Sequence, residues 1–192
     1  MTISEAVQQT PFLLGQLLDW PAAMYPERPA VEWEGGSLSF RNLLERVREQ
    51  EAVMASLGAG RFQRWGLLLP DIPEFLISFF ALLRLGCVVS PLREQLPARL
   101  LREDLSRGDF QGLLISEAHP GYDELSAAFP VRRSLKLAPG KVAMWLKGEV
   151  ESHPSEGSLV DVDPALIVWS SGSTGRPRGV VLQHHAVLAN LW

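Results

Sequence analysis

Between Ser170 and Gly179 the chain gathers four hydroxyls, three glycines and two arginines: Ser170-Ser171-Gly172-Ser173-Thr174-Gly175-Arg176-Pro177-Arg178-Gly179. This composition suits a grip on a polyphosphate. Gly172, Gly175 and Gly179 let backbone approach a ligand without a Cβ in the way. Successive N–H groups in such a turn form an anion-binding nest. Ser170, Ser171, Ser173 and Thr174 add hydroxyl donors. Arg176 and Arg178 neutralise charge, and a guanidinium holds two phosphate oxygens at once. The stretch is not a Walker A loop, which needs a Gly-Lys-Ser or Gly-Lys-Thr end opening directly into a helix. Taken alone, a serine- and glycine-rich turn of this kind is more often a plain connector between strands.

The elements around it must hold such a loop in place. An apolar run, Ala165 to Trp169, predicts a strand entering it, and Val180 to Leu182 is a second apolar run leaving it. Upstream, Phe12 to Trp20 predicts a short amphipathic helix ended by Pro21, and Val31–Trp33 and Ser37–Ser39 a hairpin across Glu34-Gly35-Gly36. Ser39 is a good N-cap for a helix from Phe40 to Leu57, stopped by Gly58. Strands are expected at Trp65–Leu69, Cys87–Pro91 and Gly112–Ser116. Between them lie an all-round apolar helix, Glu74–Leu85, and a helix opened by Pro97 and ending at Gly108. Strand, helix, strand, helix, strand predicts an α/β fold: a parallel sheet with flanking helices and right-handed crossovers. Beyond it, Val131–Leu137 and Lys141–Leu146 read as strands about a Pro139-Gly140 turn. The expected organisation is an α/β subdomain over 1–146, an exposed linker over 147–164, and the strand–loop–strand with the start of a helix over 165–192.

Composition narrows the function. Of 192 residues 46% are hydrophobic and 21% charged, ordinary for a packed domain and not for a disordered one. The net charge of −4 carries no basic block, so nucleic acid is not an expected partner. The single cysteine, Cys87, rules out an internal disulfide and a cysteine-cluster metal site, and its apolar surroundings predict a core residue. Phe75 to Leu92 is apolar but interrupted by Arg84, Gly86, Ser90 and Pro91, which predicts a buried helix and strand instead of a membrane span. With no signal-peptide pattern at the start, a cytoplasmic protein is expected. His119 and His153 read as solvated loop residues. His184 and His185, being adjacent, do not face one ligand on a helix, and no metal site is expected.

The order of residues adds a resemblance. Ser170 to Val180, followed by Leu182-Gln183-His184, resembles the phosphate-loop signature of the adenylate-forming superfamily, Thr-Ser-Gly-Ser/Thr-Thr-Gly-x-Pro-Lys-Gly-Val with a Leu-x-His step. Acyl-CoA synthetases, peptide-synthetase adenylation domains and luciferases belong to it. Ser170 replaces the usual threonine and keeps the hydroxyl; Arg178 replaces the usual lysine and keeps the charge. Pro70 to Phe75, Phe79 to Leu92, Tyr25 to Ala30 and Ser39 to Leu44 are similar to the family's earlier blocks.

The resemblance implies the N-terminal portion of the large domain of that fold, with Ser170, Ser171, Gly172, Ser173, Thr174, Gly175 and Arg178 on the phosphates of ATP. It implies a carboxylic acid attacking ATP with Mg2+ to give acyl-AMP and pyrophosphate. The acyl group then passes to the thiol of CoA or of a carrier protein's phosphopantetheine. Fatty acid metabolism is one setting that follows. In the family the adenine pocket, magnesium-binding glutamate, ribose-binding aspartate and catalytic lysine come after the position of Trp192, so catalytic residues are not assigned here. The expectation is an N-terminal piece of an acyl-CoA synthetase, inactive alone. The alternatives are a piece of a carrier-loading enzyme and a non-catalytic binding or partner subunit.

Overall fold

Four apolar runs lie side by side and parallel in one sheet. The structure, a computed structural model, describes residues 13–69, 73–126, 129, 131–136, 141–146, 158–170 and 178–190. Its strands are β1 Pro29–Trp33, β2 Gly36–Ser39, β3 Arg64–Leu68, β4 Val88–Pro91, β5 Gly112–Ser116, β6 Val131–Lys136, β7 Lys141–Leu146, β8 Pro164–Ser170 and β9 Arg178–Gln183. Its helices are α1 Asp19–Met24, α2 Phe40–Ser56, α3 Glu74–Arg84, α4 Ala98–Gly108, α5 Tyr122–Ser126 and α6 His184–Leu188, with a 3₁₀ turn at Leu14–Gln16. β1 and β2 form a separate hairpin; the main sheet runs β6-β7-β5-β3-β4-β8-β9.

The centre, β5-β3-β4-β8, is parallel as expected, but the flanks are not: β7 runs antiparallel to β5, β6 to β7, and β9 to β8. The reason is local. Short connections such as Pro139-Gly140 leave no room for the crossover that a parallel neighbour needs. The step from β3 to β4 and the step from β4 back past β3 to β5 run in opposite directions. Their helices accordingly cover opposite faces, with Ile77, Ala81 and Leu82 of α3 against Trp65, Leu67, Val89 and Leu114. On the other face Leu101 and Leu105 of α4 pack with Leu68, Val88, Leu113 and Ile115. Alternate residues of each strand thus serve different helices, which is why the strands read as continuous apolar runs.

Ser39 caps α2 as predicted, its hydroxyl accepting from the Asn42 N–H at 3.3 Å. Gly58 and Gly86 end α2 and α3 with positive φ. The first helix differs from expectation. Phe12 lies outside the described residues, and the stretch 13–24 divides into the 3₁₀ turn and α1. Pro21 does not stop α1; it sits in its first turn, where a missing N–H costs no helical bond. Cys87 is fully buried, its thiol donating to the Gly60 carbonyl at 3.1 Å, and burial pushes its pKa up, so it is a core residue.

Charged groups tie the helices together. Arg84, at the end of α3, donates to Glu51 of α2 at 2.7 Å, to both carboxylate oxygens of Asp19 of α1 at 3.1 Å, and to the Gly15 carbonyl at 3.3 Å. Gln50 and Ser78 form a buried 2.7 Å hydrogen bond between α2 and α3.

One close approach is testable. Trp65 is fully buried and lies across its register partner Gly112, where an added Cβ would collide with the indole. Gly112→Ala is expected to cost about 1–3 kcal/mol by overpacking, read as a lowered urea midpoint. Gly60→Ala, whose Cβ would meet nothing closer than Gln63 at 4.0 Å, should stay within about 0.5 kcal/mol.

Candidate functional site

Because β3, β4, β5 and β8 are parallel, their carboxyl ends open on one edge of the sheet. Ligands of open α/β sheets lie outside that edge, where neighbouring connections leave toward opposite faces. β3 and β4 meet this condition, with α3 on one face and α4 on the other. The segments 92–97 and 117–121 follow β4 and β5 at the same edge. His119 joins them: it is buried, its Nδ1 accepts from the Gly121 N–H at 3.0 Å, and Nε2 lies 3.3 Å from the Glu94 carbonyl oxygen. The solvated role expected of His119 is therefore corrected; a short loop between two strand ends gives it backbone partners on both sides. His153 lies outside the described residues.

β8 delivers the hydroxyl- and glycine-rich stretch to this edge. Ser170, its last residue, pairs with Arg178, the first of β9, and the Ser170 hydroxyl donates to the Arg178 carbonyl at 3.3 Å. Both residues are exposed. Ser171, Gly172, Ser173, Thr174 and Gly175, read as phosphate-binding, lie outside the described residues, as does Arg176. The structure thus brings Ser170 and Arg178 together at the carboxyl edge.

Three long-range contacts, none foreseen in the sequence, fix the legs of this hairpin. On β4, the buried Ser90 hydroxyl donates to the Ile167 carbonyl at 3.0 Å and accepts from Trp169 Nε1–H at 3.1 Å. Before β8, Asp163 pairs with Arg61 at 2.9 Å, and its carboxylate accepts from the Val160 N–H at 2.9 Å. The end of the stretch read as an exposed linker is thereby anchored: Asp163 keeps only 14% of its side chain exposed. After β9, His184 is fully buried and its Nδ1 accepts from the Leu14 N–H at 3.1 Å, 170 positions away. A serine next to Pro91 inside an apolar strand was a visible signal for the first; the other two had none.

A cleft lined by Arg99, Arg102, Ser106, Arg107, Phe110 and Phe129 opens beside α4. Phe110 precedes β5, so it belongs to the amino edge, away from Ser170. Its arginines face Glu103, Asp104 and Glu124, which balance their charge locally. Among the described residues no cluster of three or more His, Cys, Asp or Glu stands ready to hold a metal, and no helix is long and apolar enough to cross a membrane.

The open sheet with helices on both faces and a glycine- and hydroxyl-rich hairpin leaving its carboxyl edge defines an α/β protein of the doubly wound kind. Residues 18–192 match the family described as AMP-binding enzyme, and the chain belongs to that family of adenylate-forming ligases. The L-proline–[L-prolyl-carrier protein] ligase of Pseudomonas fluorescens is 32% identical over 180 residues, covering 92% of this chain and 36% of that protein. The 3-hydroxybenzoate–CoA ligase of Aromatoleum sp. is 29% identical over 169 residues, covering 84% of this chain and 32% of that one. The chain therefore spans about a third of the length of these two relatives. Among solved structures, IdnL1 superposes with a TM-score of 0.76 at 26% identity, covering 95% of this chain and 36% of its own. The N-terminal subdomain of Klebsiella oxytoca NpsA with 3-hydroxybenzoyl-AMSN superposes with a TM-score of 0.66 at 22% identity, covering 90% and 41%, a likeness of fold.

His184 makes one contact of the site measurable. Burial lowers its pKa below 6.5, against the raising pull of Asp163 and Asp161. The unfolded chain takes up this proton as pH falls below about 6.5, whereas the folded chain holds the ring neutral to accept from Leu14. The stability involved is complete above that pH and is lost as pH falls toward the lowered folded value. Urea midpoints at about pH 8 and about pH 5.5 should therefore differ more in the wild type than in His184→Gln, which accepts a hydrogen bond but does not titrate.

Proposed function

We propose that this chain supplies the ATP-phosphate grip of an enzyme that adenylates a carboxylic acid and transfers the acyl group to the thiol of CoA. The observation that carries the reading is the Ser170–Arg178 hairpin mouth at the carboxyl edge of the parallel sheet, with Ser-Ser-Gly-Ser-Thr-Gly on its entry side. In the first step a carboxylate oxygen bonds the α-phosphorus of ATP, and the bond from that phosphorus to the bridging oxygen breaks. Negative charge moves onto the leaving pyrophosphate. Backbone N–H groups around Gly172 and Gly175, the hydroxyls of Ser171, Ser173 and Thr174, and the Arg178 guanidinium stabilise that charge and hold the phosphates in line. Magnesium bound with the nucleotide would share in neutralising that charge.

A second reading replaces CoA with the phosphopantetheine of a carrier protein. The 32% identity to the L-prolyl-carrier ligase supports it. The two readings share the phosphate grip and differ in acid pocket and thiol acceptor. A soluble enzyme working in the cytoplasm suits both.

The test is ATP–pyrophosphate exchange in the full-length polypeptide over a panel of fatty, aryl and amino acids. Exchange with one acid, followed by thioester formation with CoA or with a carrier protein, decides between the acceptors. Thr174→Ala with Arg178→Ala should lower exchange about 100-fold while circular dichroism is unchanged, the loss expected when groups facing developing charge are removed. Undiminished exchange in that double variant would refute the assignment.

A further inference from the structure

The seam between β4 and β8 is short. Only Val89 and Leu166 are register partners across it, whereas β3 pairs with β4 over four residues. The cause lies in Pro91. The Leu92 N–H points to β3, donating to the Leu67 carbonyl at 2.9 Å. Strand alternation then aims the backbone nitrogens of Val89 and Pro91 at β8. Position 91 should supply the next ladder donor, and proline has none. The carbonyl that loses its partner is that of Ile167.

The side chain of Ser90 fills the gap. Its hydroxyl, with no exposure, donates to the Ile167 carbonyl at 3.0 Å. The same oxygen accepts from Trp169 Nε1–H at 3.1 Å. The Trp169 ring in turn lies across its register partner Gly179, the residue after Arg178. One buried oxygen thus holds the entry strand of the hairpin at two points, and through the indole it reaches the exit strand. All of this sits immediately before Ser170.

We infer that Ser90 is a positioning residue for pyrophosphate binding: it replaces the ladder donor lost at Pro91 and, through Trp169, fixes the hairpin base at Ser170 and Arg178. The inference rests on the phosphate-grip reading above. Removing the hydroxyl leaves the Ile167 carbonyl and the Trp169 N–H unpaired together, which loosens the hairpin base without touching a phosphate-binding group.

The experiment uses the full-length polypeptide labelled with 5-fluorotryptophan, the Trp169 fluorine signal being assigned with Trp169→Phe. Magnesium pyrophosphate is the probe. In the wild type the Trp169 signal should move on titration. Ser90→Ala should weaken pyrophosphate binding about fivefold and raise the KM for pyrophosphate in the exchange reaction equally, with the KM for the acid unchanged. Trp169→Phe keeps the Ser90–Ile167 bond and should weaken binding by a smaller factor; it also serves if Ser90→Ala does not fold. Unchanged pyrophosphate affinity in a folded Ser90→Ala, or in Trp169→Phe where that variant alone folds, overturns the positioning role and leaves the phosphate-grip reading standing. If the wild type itself does not bind pyrophosphate, that reading fails and the positioning role fails with it.

Discussion

Parallel strands cannot be joined by a tight turn, so each parallel pair in this chain demands a crossover that returns along one face of the sheet. Most of the architecture follows from that demand. α3 returns the chain from β3 to β4 and α4 from β4 to β5, and since the chain first moves one way along the sheet and then the other, they cover opposite faces. Both faces of β3, β4 and β5 are then buried, which is affordable only for strands made of residues such as Leu67, Leu68, Val88, Val89, Leu113 and Leu114. The same constraint sends every parallel strand out at one edge. A chain that builds its core this way gets a shared carboxyl edge as a geometric by-product, and the end of β8 is placed there by topology before any side chain contributes.

Topology brings β8 and β9 together at this edge; side chains from distant parts of the chain fix their ends. Asp163 is held by Arg61, with both side chains about 85% covered. A pair so covered loses hydration that its attraction barely recovers, so its role is better read as orientation than as stability. His184 contributes differently. Its acceptance of the Leu14 N–H ties the first turn of the described chain to the start of α6, so the residues before β8 answer to the loop ahead of β3 and those after β9 to the 3₁₀ turn. These contacts span from 102 to 170 positions, and they give the hairpin a base whose two legs are fixed independently.

The fold was legible wherever one local rule dominated. Ser39, Gly58, Gly86 and Pro97 mark helix ends because capping and positive φ are decided within a turn, and the apolar runs of β3, β4 and β5 are strands because both faces are buried. Pro21 misled because a proline inside a periodic stretch reads as a stop, although the first turn of a helix tolerates it. His119 misled for a related reason: a lone histidine in a loop beside a proline reads as solvated, while its burial is set by Glu94 across the edge. Of the candidate site, the order of residues from Ser170 to Gly179 was legible and its supports were not. The partners of Asp163, His184 and Trp169 are chosen by strand order, which no local pattern encodes.

Arg178 is where this chain departs most from its family's usual residue, and on the proposed reading the departure is coupled to the rigidity around it. Lysine is a compact point charge on a flexible stem; it meets one phosphate oxygen at a time and tolerates a loose base. Arginine presents a planar fork that meets two oxygens together, but only when its plane is aligned. Alignment must come from the backbone that carries it. Arg178 begins β9 with its carbonyl held by Ser170 and the next residue, Gly179, lying under the Trp169 indole. A slip of one residue in this register would turn the guanidinium to the opposite face of the sheet. On that reading an arginine here and a braced hairpin base belong together: the fork can meet two phosphate oxygens at once only where the backbone that carries it is held.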